Sequence, residues 1–172
     1  SSATTPGALA MASLVAPGSD GRVPNMGGND GALVFDLAPC AIGDLRPLLA
    51  HAAAATGQPV GIEAGPWDEE RAWFGLSRVD GGPAPAPRAT TTHALTRGGA
   101  HAVMRAGRLR HRPAHADQLH VDVWLHGVPV AVDPGAYRYT AEAPWANALA
   151  GDDVHNVPRR PGSPQAQRAG RF

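Results

Sequence analysis

Between residues 119 and 133 apolar and polar side chains alternate. Leu119, Val121, Val123 and Leu125 interleave with His120, Asp122, Trp124 and His126. Gly127 permits a turn, and Val128, Val130 and Val132 carry the alternation on to Asp133, where Pro134-Gly135 stops it. Successive side chains of a strand point to opposite faces, so this run predicts a β-hairpin with one apolar face. Just upstream, His101–Arg105, a turn at Ala106-Gly107 and Arg108–Arg112 predict two further strand segments.

The first half has a different period. Leu45, Leu48 and Leu49 share one helical face, Asp44 can cap the start, and Gly57 ends an alanine-rich run, so a helix is predicted over Asp44–Ala55. A second, short helix is predicted over Trp67–Phe74, entered through Pro66. Its first-turn acids, Asp68, Glu69 and Glu70, read as surface charge that suits the helix dipole rather than as a catalytic cluster. The apolar stretch Ala8–Val15 reads as the last turns of another helix. Pro24 to Gly31 is turn chemistry without the Gly-Lys-Ser/Thr ending of a phosphate loop. At residues 81–88 alternating prolines favour an extended strip, and the period switches from helical to two beyond it. The expected organisation is therefore a helical part over 1–80, a linker and boundary over 81–100, and a β part over 101–172.

Composition narrows the functional classes. The 172 residues carry fifteen basic side chains, all arginine, against fifteen acidic ones. With no net charge there is no electrostatic drive to coat nucleic acid or an anionic membrane. No apolar run approaches the ~20 residues that span a bilayer. Gly (21) and Pro (17) are abundant, which favours loops and short strands over long helical bundles. The single cysteine, Cys40, cannot form an internal disulfide and reads as a small buried hydrophobe rather than a nucleophile. The opening Ser1-Ser2-Ala3 is not followed by a basic stretch and an apolar core, so no signal peptide is read there.

Five of the eight histidines lie between His111 and His155, with Asp117, Asp122 and Asp133 among them. Imidazole and carboxylate ligands for a metal must come from separate elements, because neighbours on one strand face opposite ways. His115, Asp133 and His155 are candidates, and two His with one carboxylate leave room for a water or further ligand. Register arithmetic offers another choice. If His126-Gly127 is a tight two-residue turn, His120 falls opposite Asp133 and His115 points away, unless a bend near Pro113 brings it in. Solvated histidines scattered along a hairpin are the plainer reading. A cupin-type metal enzyme is a further competitor, although its His-x-His pair is absent.

The run Arg112-Pro113-Ala114-His115-Ala116-Asp117-Gln118-Leu119-His120-Val121-Asp122, the segment Asp133-Pro134-Gly135-Ala136-Tyr137-Arg138-Tyr139 and the pair His155-Asn156 resemble the C-terminal region of heparinase II/III-like polysaccharide lyases. Pro24–Ala32, Trp67-Asp68 through Trp73-Phe74-Gly75, and Arg168–Phe172 add to the resemblance, which spans nearly the whole chain. It implies an α+β chain, mainly β in its second half: the end of an (α/α) toroid followed by the first strands of an antiparallel β-sandwich. It also implies a periplasmic or cell-envelope lyase that cleaves uronate-containing acidic polysaccharide by β-elimination. His115, Asp133 and His155 match the family's zinc ligands, a zinc usually read as structural.

The catalytic Asn and Tyr of the family lie in the toroid, in a stretch that would precede Ser1, and are not carried onto Asn25 or Tyr137. Pro113 stands where many relatives have a catalytic His in a His-x-His-x-Asp pattern, a departure that speaks against a catalytic role for this strand. Pro158, Pro161 and Pro164 interrupt the strand that relatives have after the His-Asn pair. Arg105, Arg108, Arg110 and Arg112 are candidates for lining an anion-binding cleft, or form a solvated strand face. The alternative function is a non-catalytic carbohydrate-binding or structural β-domain with a bound metal.

Overall fold

The computed structural model describes residues 11–25, 35–82, 91–107, 114–136 and 141–166. The chain divides into two units, Ser1–Val23 with Leu33–Thr90, and Pro24–Ala32 with Thr91–Phe172. Helices occupy the first and an antiparallel sheet the second, an α+β arrangement that is mainly β in its later half.

In the first unit, α1 spans Arg46–Thr56. Asp44 does the work of a cap from one residue further out than expected. Leu45 occupies the N-cap position, but Asp44 Oδ1 accepts the Arg46 N–H at 2.9 Å. At the other end Gly57 takes φ 68° and its N–H reaches the Ala53 carbonyl at 2.8 Å, the left-handed cap that glycine adopts without steric cost. The buried stripe is Leu49, Ala50 and Ala53, and Leu49 and Ala53 pack with Val60 against Met11, Val15, Leu45, Ile62 and Val79. Leu48, expected on this face, is half exposed, because four-residue spacing from Leu45 selects Leu49 instead.

The second expected helix is a 3-10 turn, Pro66–Asp68, that runs into the short helix α2, Glu69–Trp73. Asp68 does not act as free surface charge. Its carboxylate takes the Gly65 N–H at 3.1 Å and the guanidiniums of Arg71 and Arg78, each at 2.8 Å. Burial alone would raise its pKa, but Arg71, the Gly65 N–H and Arg78 outweigh burial and hold the carboxyl below its ordinary value. The Cys40 thiol moves the other way, pushed up first by burial and then by Asp44, so it is not a poised thiolate.

The second unit is built on a four-stranded antiparallel sheet in sequence order: β1 Thr92–Arg97, β2 Ala100–Arg105, β3 Val121–Leu125 and β4 Val128–Ala131. Strand β1 lies inside the stretch read as linker over 81–100. Its Thr-His-Ala-Leu-Thr-Arg sequence has a single large apolar side chain, so period-two reading passes over it; pairing with β2 across Gly98-Gly99 is what makes it a strand. The strand predicted over Arg108–Arg112 lies outside the described residues.

The β3–β4 hairpin forms as expected around His126-Gly127, whose φ values of 49° and 78° are those of a tight type I′ turn. Two details depart from a regular hairpin. Leu119 takes φ 61° in a turn that joins the His120 N–H to the Asp117 carbonyl, so β3 starts at Val121. In β4, Trp124 pairs with Pro129 but Val123 pairs with Ala131, so Val130 is an extra, bulged residue. Proline lacks the N–H a regular ladder would use, and bulges are where sheets accept it.

The sheet buries the face that the alternation marks as polar. His101, Val103, Asp122 and Trp124 are buried, whereas Leu95, Leu125, Val128 and Val130 on the apolar side are exposed. The loop over 114–120 and the segment over 148–157 are tied to the ends of β2 and β3 and to each other by backbone bonds. The two leucines of α1 give a direct test of the first unit's core. Leu49→Ala should cost about 2–5 kcal/mol in urea denaturation, and Leu48→Ala less than about 0.5 kcal/mol. Equal losses would contradict the assignment of the buried stripe.

Candidate metal centre

The loop ahead of β3 is tied down at both sides. Arg105, at the end of β2, makes an ion pair with the buried Asp117. The Arg105 N–H and carbonyl also bond the His120 carbonyl at 3.0 Å and the Leu119 N–H at 2.8 Å. On the far side the Ala116 N–H reaches the Ala150 carbonyl at 2.8 Å, and the Gln165 side chain pairs with both backbone groups of Gln118 at 3.1 and 2.8 Å. These bonds bring His115 inward at the base of the sheet.

His155 follows a 3-10 turn, Asp152–Val154, and the next residue is pinned to the start of β3. The Val121 N–H bonds the Asn156 carbonyl at 3.2 Å, and Asn156 Nδ2 returns to the Val121 carbonyl at 3.2 Å. Asp133, just past β4, is held at three points. Its N–H reaches Asp122 Oδ1 at 3.1 Å, its Oδ1 accepts the Gly135 N–H at 2.8 Å, and its carbonyl accepts Asn25 Nδ2 at 3.3 Å.

These constraints bring His115, Asp133 and His155 together. One ligand atom from each lies within 4.8 Å of the others, and all three residues are buried. The protonation pattern shows what the cluster is suited to hold. His155 Nδ1 lies 2.6 Å from the Gly151 carbonyl, which can only accept, so Nδ1 carries the ring proton. Nε2 then presents a lone pair, 3.3 Å from Asp133 Oδ2. Two acceptors at that separation repel unless a cation sits with them. Asp133 Oδ2, His155 Nε2 and His115 Nδ1 are all buried and have no hydrogen-bond partner among the described residues. An unsatisfied buried polar atom costs about 1–3 kcal/mol, and a metal ion satisfies all three at once. The Gly151 bond is the outer-shell contact that fixes a metal-binding histidine's tautomer.

His120 is placed differently from the register arithmetic. The bulge at Val130 shifts Asp133 out of the position opposite His120, and the turn at Asp117–His120 supplies the bend that His115 needs. His120 Nδ1 accepts the Asn156 N–H at 3.1 Å, so its proton is on Nε2, which faces Asp122 Oδ2 at 3.4 Å. That leaves it no lone pair for a metal. Of the four arginines considered for an anion cleft, Arg105 is engaged with Asp117; Arg108, Arg110 and Arg112 lie outside the described residues, as do Pro113 and Tyr137. Asp122, Gly151 and Asn156 support the site, although none of them is assigned that role from the sequence. The i, i+2 spacing of His120 and Asp122, which puts both on one strand face, is the signal that points to the first of them.

Burial holds the His115 imidazole below its ordinary value of 6.5, against the pull of Asp133 and with the push of His155. It is therefore neutral at pH 7, the form a metal requires. An unfolded chain takes up this proton near 6.5 while the folded one resists it. The contribution to stability is thus complete above 6.5 and is lost as pH falls through the depressed folded value. In chelator-treated protein, the His115 ring resonance should titrate with a midpoint below 6.5, and a midpoint at or above 6.5 would contradict the burial argument.

No curated protein matches this chain. The family model described as "Heparinase II/III-like, C-terminal" matches residues 81–172, just over half of the sequence and the part that contains the whole sheet, His115, Asp133 and His155. On that match, the chain belongs to the heparinase II/III-like C-terminal family.

Proposed function

We propose that this chain is part of a polysaccharide lyase that cleaves uronate-containing acidic polysaccharide by β-elimination, with His115, Asp133 and His155 holding a structural zinc. The observation that carries the reading is the coincidence of the family match with a buried His/Asp/His cluster inside the matched segment. Residues 1–80 are read as the end of the toroid, 81–100 as the boundary, and 101–172 as the start of the sandwich. Strand β1 would then open the sheet from within the boundary stretch.

The chemistry sets what the whole protein must provide. A uronate C5 proton is weakly acidic until its carboxylate is neutralised. A base then removes that proton, the C5 electrons form a C4=C5 double bond, and the C4–O bond to the next sugar breaks. The leaving oxygen takes a proton from a general acid. No residue of this chain is assigned as that base or neutraliser. Its own part is architectural: Asp133 and His155 join the end of the β-hairpin to the segment after it, and His115 joins the loop before it. Two imidazoles and a carboxylate form a donor set suited to zinc, with a fourth position left for water. When bound, the zinc supplies the positive charge that balances three buried acceptors. Polymers of this kind are met outside the inner membrane, which favours the periplasm or cell envelope; among the described residues no helix is long and apolar enough to cross a membrane.

Pro113, in place of a catalytic histidine, favours a second reading, a non-catalytic carbohydrate-binding or structural β-domain with a bound metal. One assay separates the two. The intact protein, incubated with heparan sulfate, alginate and other uronate polymers, should release products with the ultraviolet absorbance of unsaturated uronates. Binding without that absorbance selects the second reading, and neither binding nor absorbance with any acidic glycan sinks both.

The metal assignment has a separate check. Elemental analysis of the dialysed protein should find about one zinc per chain, and His115→Ala, Asp133→Ala or His155→Ala should each abolish it. Full zinc in all three variants would reject the ligand set.

A further inference from the structure

Beside the triad lies a second buried polar pair, His120 and Asp122, that takes no part in the ligand set. Both are almost fully buried, at 0% and 1% exposure. A leucine or phenylalanine at either position would fill the space without desolvating a carboxylate and an imidazole. What the pair does instead is visible in its contacts. Asp122 Oδ1 accepts the backbone N–H of Asp133 at 3.1 Å. Asp122 Oδ2 faces His120 Nε2 at 3.4 Å, and Nε2 has no hydrogen-bond partner. His120 Nδ1 accepts the backbone N–H of Asn156 at 3.1 Å. A side-chain relay, two hydrogen bonds joined by the 3.4 Å Asp122–His120 contact, thus runs from the backbone of one triad residue, Asp133, to the residue next to another, His155. It is rigid because β3 carries Asp122 and the residues flanking it, and because Asn156 makes two more bonds to Val121.

We propose that His120 and Asp122 are positioning residues for the metal centre, a clamp that sets the separation of Asp133 and His155. The inference rests on the metal reading above and deepens it. Asp133 and His155 lie in different segments, and their ligand atoms stand 3.3 Å apart with no direct hydrogen bond to hold them. Without the clamp the Asp133 and Asn156 N–H groups lose their side-chain acceptors, the separation of the two ligands is held less closely, and ligand preorganisation falls. Outer-shell groups of this kind typically change metal affinity by about 10–100-fold.

The test uses the intact protein, stripped of metal and titrated with zinc against a chelating indicator, and in parallel with cobalt(II), whose visible spectrum reports ligand geometry. Asp122→Asn and His120→Phe should bind zinc about 10–100-fold more weakly than the parent, still reach the parent's stoichiometry at saturation, and show a shifted cobalt spectrum. His120→Gln, which keeps an acceptor for the Asn156 N–H and a donor toward Asp122, should recover most of the affinity. Zinc affinity within twofold of the parent in Asp122→Asn and His120→Phe would overturn the clamp while leaving the metal reading intact. So would an unshifted cobalt spectrum in whatever fraction folds, since a merely structural role lowers the folded fraction alone. Equal weakness of the Gln and Phe variants would also overturn it, because the hydrogen bonds would not be what matters. A parent protein that takes up neither metal sinks the metal reading, and the clamp with it.

Discussion

Asp133 Oδ2 and His155 Nε2 face each other at 3.3 Å with the His155 proton committed to the Gly151 carbonyl on the opposite side of the ring. Two buried acceptors held this close are repulsive, and His115 brings a third. Positive charge placed among them would relieve that repulsion, and the backbone around them fixes where they point. Asp133 is gripped through its N–H, its Oδ1 and its carbonyl, so its remaining oxygen has one direction to point. The His155 ring is oriented by Gly151, and its backbone neighbour by β3. A cation here would do for three separate segments what a disulfide does for two: it would join a loop, a strand end and a 3-10 turn that have no continuous ladder between them.

The sheet of the same unit is inverted. Ordinarily the apolar side of an amphipathic hairpin is buried and the polar side is wet. Here the side bearing His101, Asp122 and Trp124 is the buried one. Leu125, Val128 and Val130 remain exposed on the other side. Burying Asp122 costs desolvation, offset by the Asp133 N–H and by the facing His120 ring; burying Asp117 is offset by Arg105. Polar side chains in such a place are retained for geometry, since apolar ones would pack at lower cost.

The first unit follows simpler rules. Helix α1 forms where alanines and leucines are dense, begins beside Asp44 and ends at Gly57. Its core is small, Leu49, Ala53 and Val60 with partly buried neighbours. Arg78 and Arg71 gather the chain around Asp68, and Arg46 lies 3.8 Å over the Trp67 ring. Polar contacts thus bind together a segment in which apolar packing is limited.

Much of this was legible from local pattern. The period-two run announced β3 and β4, glycine marked the hairpin turn and the end of α1, and the order of His115, Asp133 and His155 within recognisable motifs nominated the cluster that the fold assembles. Those features depend on residues near one another, where alternation, capping and turn preference act directly. Three others did not. Strand β1 has too little apolar character to show a period and exists because β2 offers it an edge. The bulge at Val130 and the left-handed turn at Leu119 each shift the register by an amount no alternation encodes, and together they decided that His115, not His120, meets Asp133. Which face of the sheet is buried was likewise not legible, since a hairpin's two faces are distinguished only by what is laid against them. The sequence alone thus determined the types of element and the inventory of candidate ligands; tertiary structure decided which of those side chains meet, because register and burial are set by long-range backbone pairing.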